Sequence, residues 1–305
     1  MCAGFLAFEH VALTSSYAQL GLAACSTATT DTCMANLNTF ANNFGWLDFG
    51  IYWMMLLPAI VGVFVGAPLV ARELESGTFR FIWLQSVTRT HWFVAKVVAL
   101  VAGCLLAAAA LSAITTWAME PLVRVDGIQL AGGINPLIPP LFDLTGIALP
   151  AATLLSLSLG ILAGTMTRHI VVAMFVTVLL FAMVRVPVTL ARPHFAAPLS
   201  ASSQVGAAGN RPGIPPGSLV LKEGFIDANG RTYDLIGEAT ASCASQPQSA
   251  AGMDQCFRQI GLRTYAQFQP PDRYWLFQGL ESGIYGGVSI FALLASLWIV
   301  RRRIA

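Results

Sequence analysis

Five stretches of this chain are predominantly apolar over about 20 residues or more, the length a helix needs to cross the roughly 30 Å hydrocarbon core of a bilayer. They run from about Phe49 to Val70, Phe93 to Ala118, Leu144 to Met166, Ile170 to Leu190 and Leu280 to Val300. Only 10% of the 305 residues are charged and the mean hydropathy is +0.67. A soluble domain carries about 25% charged residues. Such a deficit is tolerable where lipid is the main solvent. Within the apolar stretches stand Pro58, Gly62, Gly66, Pro68, Pro150, Gly160 and Gly164. These residues penalise a soluble helix but are frequent in membrane helices, where small side chains let backbones approach. A net charge of +2, with no basic run carrying interleaved aromatics, argues against nucleic-acid binding.

Orientation follows from the placement of positive charge. No Lys or Arg precedes Arg72. Arg72, Arg80, Arg89 and Lys96 then cluster between the first two long stretches, Arg168 sits between the third and fourth, and Arg301, Arg302 and Arg303 follow the last. All these positions fall on one face, which is therefore expected to be cytoplasmic, with the C-terminus inside. The opposite face receives the Pro136–Pro140 segment and a polar, turn-rich stretch from about Arg192 to Gln278.

The six cysteines fit that arrangement. Cys25 and Cys33 flank a Ser/Thr-rich loop, and Cys243 and Cys256 a Gln/Ser-rich one. Both loops fall on the outer face, where two short-loop disulfides fit better than free thiols. No CxxC or paired His supports a zinc site. Met1 to Leu13 is apolar but short and contains Glu9 and His10. It is read as the outer part of a first transmembrane helix whose beginning is missing or mis-started. The alternative is an extracellular segment lying on the membrane, leaving five spans instead of six.

The segment from Gly66 to Lys96 leaves the membrane, changes character and re-enters. Glu73 and Glu75 stand with Arg72 at the exit, Gly77 breaks the helix, and Thr78 can cap the next one. Phe79, Ile82, Trp83 and Val87 recur at i, i+3, i+4 and i+8, predicting one apolar face of a short helix. Such a helix could lie on the membrane surface or dock in a protein groove; periodicity alone leaves both open.

Here the residues ARELESGT, LQSVTR and the following His91-Trp92 resemble the coupling region of ABC-2 type permeases, especially the actinobacterial branch. The departure is Leu84, where that family usually has Thr. Near the C-terminus, YAQFQPPDRYWLFQGLESGIY, followed by the last apolar stretch and RRR, resembles the same branch. The basic cytoplasmic segment such permeases carry before their first helix has no counterpart in this sequence.

The resemblance implies a type V exporter half. The expected fold is all-α and polytopic, with six transmembrane helices, the first truncated, and a small extracellular α/β or β-containing loop domain between the last two. It places helices 1–5 in residues 1–191 with a coupling region at 71–92, the loop domain at 192–278, and the last helix with its basic tail at 279–305. Arg72, Glu73, Glu75, Gly77, Thr78 and Arg89, with Phe79 and Trp83 of the apolar face, become the positions that touch or position an ATPase. The partners implied are that ABC ATPase, a second permease subunit (a copy or a close paralogue) and membrane lipid, all in a bacterial plasma membrane. ATP and Mg would be bound by the partner. Lys96 is followed by Val97 and Lys222 by Glu223, so neither lysine completes a P-loop.

Other residues carry weaker signals. Arg185 lies late in the fourth long stretch and Glu281 begins the last, and intramembrane ions usually face each other or a cavity. A structural Arg185–Glu281 pair is expected more than a substrate site. Ser156 and Ser158 suit backbone hydrogen bonds better than nucleophilic work. SLVLKEGFIDANGRTYDL reads as a β-hairpin turning at Asn229-Gly230, and Tyr274, Trp275 and Phe277 as an interfacial aromatic belt. The exporter reading predicts outward movement of a hydrophobic or amphipathic molecule such as a drug, antibiotic or lipid. Its rival is a non-transporting sensor or accessory subunit that binds a ligand through the outer loop. A membrane-embedded enzyme lacks paired catalytic groups.

Overall fold

The computed structural model describes residues 2–22, 31–76, 89–125, 135–167, 169–204, 213–215, 217–234, 238, 243 and 250–303. In chain order the helices are α1 (Cys2–Gln19), α2 (Asp31–Met54), α3 (Leu57–Val61), a π-helical turn (Gly62–Gly66), α4 (Ala67–Ser76), α5 (Arg89–Val125), α6 (Leu141–Leu144), α7 (Ala148–Thr167), α8 (Ile170–Ala191), α9 (Ala250–Gln259) and α10 (Tyr274–Arg303). The strands are β1 (Leu199–Gln204), β2 (Leu219–Ile226), β3 (Thr232–Tyr233) and β4 (Arg263–Gln269). The chain divides into two compact units, one of residues 1–134, 138–192 and 275–305, the other of residues 135–137 and 193–274.

The first unit is helical. Among the described residues, five helical stretches are long and apolar enough to cross a membrane: Gly50–Glu73, Thr90–Glu120, Ala148–Thr167, Ile170–His194 and Pro271–Arg302. They overlap the five apolar stretches of the sequence one for one; the third begins later, at Ala148 rather than Leu144, and the last begins earlier, at Pro271 rather than Leu280. The α7 span is the central one: 72% of its most apolar window is buried, against 11% for the α8 span. Polar side chains in α7 turn back on their own helix, Thr153 donating to the Leu149 carbonyl at 2.8 Å, Ser156 to Thr153 at 2.9 Å and Ser158 to Leu155 at 2.8 Å. Such bonds spare a buried hydroxyl the cost of an unmet donor. The N-terminal apolar segment forms a longer helix than its composition predicts, α1 reaching Gln19, and its Leu6 and Leu13 are buried with Ala118 and Met119 of α5.

The closest packing in this unit joins the π-helical turn to α7. Gly62 and Gly66 lie against Ser156, Leu157 and Gly160, and Gly164 lies against Ala67 and Ala71 of α4, largely backbone against backbone. A Cβ added at Gly160 would lie 2.5 Å from the Gly62 carbonyl oxygen and 2.8 Å from the Ala67 nitrogen. One added at Gly164 would lie 2.5 Å from the Ala67 carbonyl oxygen. Two glycines spaced by four on each partner present a flat strip, the small-xxx-small device by which membrane helices approach. Between Pro58 near the start of α3 and the acidic end of α4, the π turn inserts one wide turn into an otherwise α-helical run.

The second unit holds a four-stranded antiparallel sheet in the order β1-β4-β2-β3. The predicted hairpin is present as β2 and β3, pairing Phe225 with Tyr233 and Ile226 with Thr232. Its connection is wider than a two-residue turn, because Asp227 and Arg231 close it together. The Asp227 carboxylate accepts the backbone N–H groups of Asn229 and Arg231, each at 2.9 Å, and the Tyr233 hydroxyl at 3.1 Å. The Arg231 N–H, above all, holds this carboxyl below the usual aspartate range, with Tyr233 and Asn229 adding to the effect. Cys243 and Cys256 are joined by a disulfide that ties α9 into a small core of Tyr233, Phe257 and Leu262. α9 is closed off just past its last residue by Gly261, where φ is +63°. The Leu262 N–H reaches the Phe257 carbonyl and the Gly261 N–H that of Arg258, a Schellman closure that only glycine makes without strain.

Candidate functional site

At its C-terminal end α4 carries the acidic exit motif, and the structure ties two of its residues to neighbouring helices. Glu73 forms an ion pair with Lys96 of α5. Lys96 Nζ also donates to the Leu69 carbonyl at 3.0 Å and lies 5.5 Å above the Trp92 ring. Glu75 Oε2 accepts the Ile170 N–H at 3.0 Å, and its other oxygen lies 3.9 Å from His169 Nδ1. Ile170 is the first residue of α8 and no side chain of its N-cap, His169, bonds the exposed end. A carboxylate there satisfies an orphan donor and meets the positive end of the helix dipole. Arg72, between the two apolar turns and the acids, is exposed. One short helix is thus tied to α5 by Glu73 and to α8 by Glu75, while its π turn packs on α7.

Of the other residues singled out in the coupling region, Gly77, Thr78, Phe79 and Trp83 lie outside the described residues. Arg89 begins α5, and its side chain is likewise not described. Cys33 is disulfide-bonded, and Cys25 lies outside the described residues.

A second polar centre lies deep among apolar helices of the same unit. Arg185 Nη1 is 2.8 Å from Glu281 Oε1. That pair belongs to a larger network. Arg185 also reaches Asp143 at 2.8 Å, and Arg192 contacts both acids, at 2.5 Å to Asp143 and 2.8 Å to Glu281. The Tyr285 hydroxyl accepts from Arg185 at 2.8 Å and donates to Glu281 at 2.9 Å. The Arg192 guanidinium stacks on Phe142, 3.9 Å from the ring centre. Side-chain exposure is 0% for Glu281, 2% for Asp143 and Arg192, and 15% for Arg185, so these charges must be met within the protein.

One turn earlier on α10, Gln278 completes the join. Its oxygen accepts the N–H groups of Ile147 and Ala148 at the start of α7, and its nitrogen donates to the carbonyls of Phe142 and Thr145. The turn holding α6, the outgoing end of α8 and the start of α10 are therefore held by one connected set of polar side chains. Two acids are matched by two guanidinium groups, which makes this a clamp of balanced charge rather than a centre with a charge to spare.

Sequence reasoning paired Arg185 with Glu281 but passed over Asp143, Arg192, Tyr285 and Gln278. Spacing held the missing signal. Arg192 follows Arg185 by seven residues and Tyr285 follows Glu281 by four, so each shares a helical face with its partner. Among the described residues, no group of three or more His, Cys, Asp or Glu side chains could hold a metal ion.

No curated protein and no solved structure matches the chain. A family model described as ABC-2 membrane transporter related matches residues 1–192, from the N-terminal helix to the arginine that closes the buried clamp. With well over half of its length matched and five helices able to span a bilayer, the chain belongs to the ABC-2 membrane transporter related family.

Proposed function

We propose that this chain is the membrane-spanning permease subunit of an ATP-driven exporter, whose ATPase is a separate polypeptide that binds ATP and Mg. Two such permeases, identical or closely related, would pair in the plasma membrane. The basic residues would face the cytoplasm and the disulfide-bonded sheet unit the outside, and the cargo would be a hydrophobic or amphipathic molecule. The observation that carries the reading is the position of α4. Its acidic end is tied to α5 through Glu73–Lys96 and to α8 through Glu75–Ile170, and its root packs on α7 through glycines. A push on α4 or on the segment after it reaches three spans at once. An ATPase closing on ATP needs such a lever, and family membership supplies the expectation of that partner. Arg72, Glu73 and Glu75, with Gly77, Thr78, Phe79, Trp83 and Arg89, form the proposed contact region, Glu73 and Glu75 acting in part by positioning it.

Charge reversal tests the assignment. Glu73→Arg and Glu75→Arg are expected to weaken retention of the solubilised permease on its immobilised ATPase by about tenfold or more, because a reversed charge in a contact is repelled as well as unmatched. Glu75→Gln keeps an oxygen for the Ile170 N–H and Glu73→Gln keeps one for Lys96, so the amide variants report the charge with the internal bonds retained. Their thermal midpoints should stay near that of the parent protein. Undiminished retention of both arginine variants would remove this region from the contact.

A further inference from the structure

We infer that the cleft between α4 and α5 is a binding site for one anionic glycerophospholipid, whose headgroup lies against Arg72 and Lys96. A cavity of about 600 Å³ opens there, lined by Phe64, Val65, Pro68, Leu69, Arg72, Glu73 and Lys96. Its two ends differ in chemistry. The π-helical turn and the first turn of α4 supply an apolar wall, with Phe64 64% exposed on a helix long and apolar enough to span a bilayer. All the charge gathers at the other end, where that apolar run finishes at Glu73. Phe64 to Arg72 is two turns and a little more of helix, about 12 Å, which suits a phosphate and glycerol at one end and the upper part of an acyl chain at the other.

Charge selects the class of lipid. Arg72 and Lys96 set two cations against the one carboxylate of Glu73, so the lining is net positive. Lys96 is already engaged by Glu73 and the Leu69 carbonyl, yet its side chain remains 31% exposed. Its ammonium is therefore held in place at the cavity rather than sequestered. The Arg72 side chain makes no hydrogen bond or ion pair with any described residue, leaving its planar donor set open to a phosphate. Basic pockets between membrane helices at the cytoplasmic surface suit anionic headgroups. A zwitterionic lipid would bring its own cation into a positive lining, and inorganic phosphate would leave the apolar wall uncovered. The placement in the inner leaflet rests on the orientation proposed above. Lipid binding itself requires no ATPase, so its failure would leave the exporter reading untouched. Arg72 is common to this site and to the proposed ATPase contact, so the bound lipid would border the lever.

Photolabelling of the detergent-solubilised chain tests the site. The probe is a phosphatidylglycerol with a photoreactive group in its acyl chain, compared with the phosphatidylcholine of identical chains, and labelled peptides are mapped by mass spectrometry. Phosphatidylglycerol is expected to label peptides containing Phe64–Leu69 or Trp92–Lys96 at least fivefold more than phosphatidylcholine. Arg72→Gln, at an exposed position, should cut that labelling by about fivefold, the worth of one basic residue toward an anionic headgroup. Arg301→Gln with Arg302→Gln should leave it unchanged, since those residues lie in the basic tail. Equal labelling by the two lipids, loss of labelling only in the tail variant, an unaffected Arg72→Gln, or displacement of the probe by inorganic phosphate would each overturn the assignment.

Discussion

Replacing Glu281 by alanine is expected to lower the thermal midpoint of the detergent-solubilised protein by roughly 10 °C. Glu281 is fully buried and is the acid that Arg185 and Arg192 share with Asp143. Its removal leaves two guanidinium groups against one carboxylate, together with a Tyr285 hydroxyl that has lost its acceptor. Breaking one partner out of a buried ion pair costs about 3–5 kcal/mol, most of it the penalty of stranding the charge that remains. For a chain of this size each kcal/mol moves the midpoint by about 2–4 °C. Exchanging both sides, Arg192→Met with Glu281→Leu, should lose less than either single change, because no charge is stranded by that pair alone. A double variant worse than the sum of the singles would mean that the network owes little to charge matching.

Gly160→Ala is the second large effect, and it arises from space alone. The added Cβ would stand 2.5 Å from the Gly62 carbonyl oxygen, 2.8 Å from the Ala67 nitrogen and 3.0 Å from the Gly66 carbonyl carbon. These are backbone atoms of the π turn and the start of α4, which cannot swing aside as a side chain would. Overpacking of this kind costs about 1–3 kcal/mol, occasionally more, and here the displaced element carries Arg72, Glu73 and Glu75. Gly103→Ala serves as the control. Gly103 lies inside α5 with nothing within 4 Å of an added Cβ, so alanine there should be neutral or should gain up to about 1 kcal/mol of helix propensity. A thermal-unfolding comparison in one detergent reads both. Equal midpoints for the two variants would show that the helices part without cost.

Much of the fold could be read from residues because bilayer physics is blunt. A run such as Ile170–Leu190 has no other solvent, and glycines at 62, 66, 160 and 164 have no use in a helix except to let another backbone near. The hairpin was equally visible, since Asn229-Gly230 stands between two β-prone segments. Its partners β1 and β4 were not. Leu199–Gln204 is serine-rich, with only Leu199 and Ala201 to carry an apolar alternation; it is a strand because β4, about 60 residues on, offers it a paired edge. The site divides in the same way. Arg185 and Glu281 invited pairing because a charge inside an apolar run needs a partner, whereas Asp143 and Arg192 stand just outside the apolar runs Leu144–Met166 and Ile170–Leu190, where a charge calls for none. Only three-dimensional closure of the turn before α7 brings Asp143 to Arg185 of α8 and to Arg192 just past its end. Glu75 as a cap for α8 was hidden for a related reason, its partner Ile170 being a backbone group 95 positions away.

An exporter subunit of this kind requires a separate ATPase that the chain holds. Gentle solubilisation of the intact chain from its native membrane, followed by affinity purification and identification of co-purifying proteins, measures that directly. An ABC ATPase is expected in stoichiometric amount, largely lost from the Glu73→Arg and Glu75→Arg variants. A well-dispersed, folded chain that retains no ATPase would contradict the exporter reading and turn attention to ligand binding by the disulfide-bonded sheet unit.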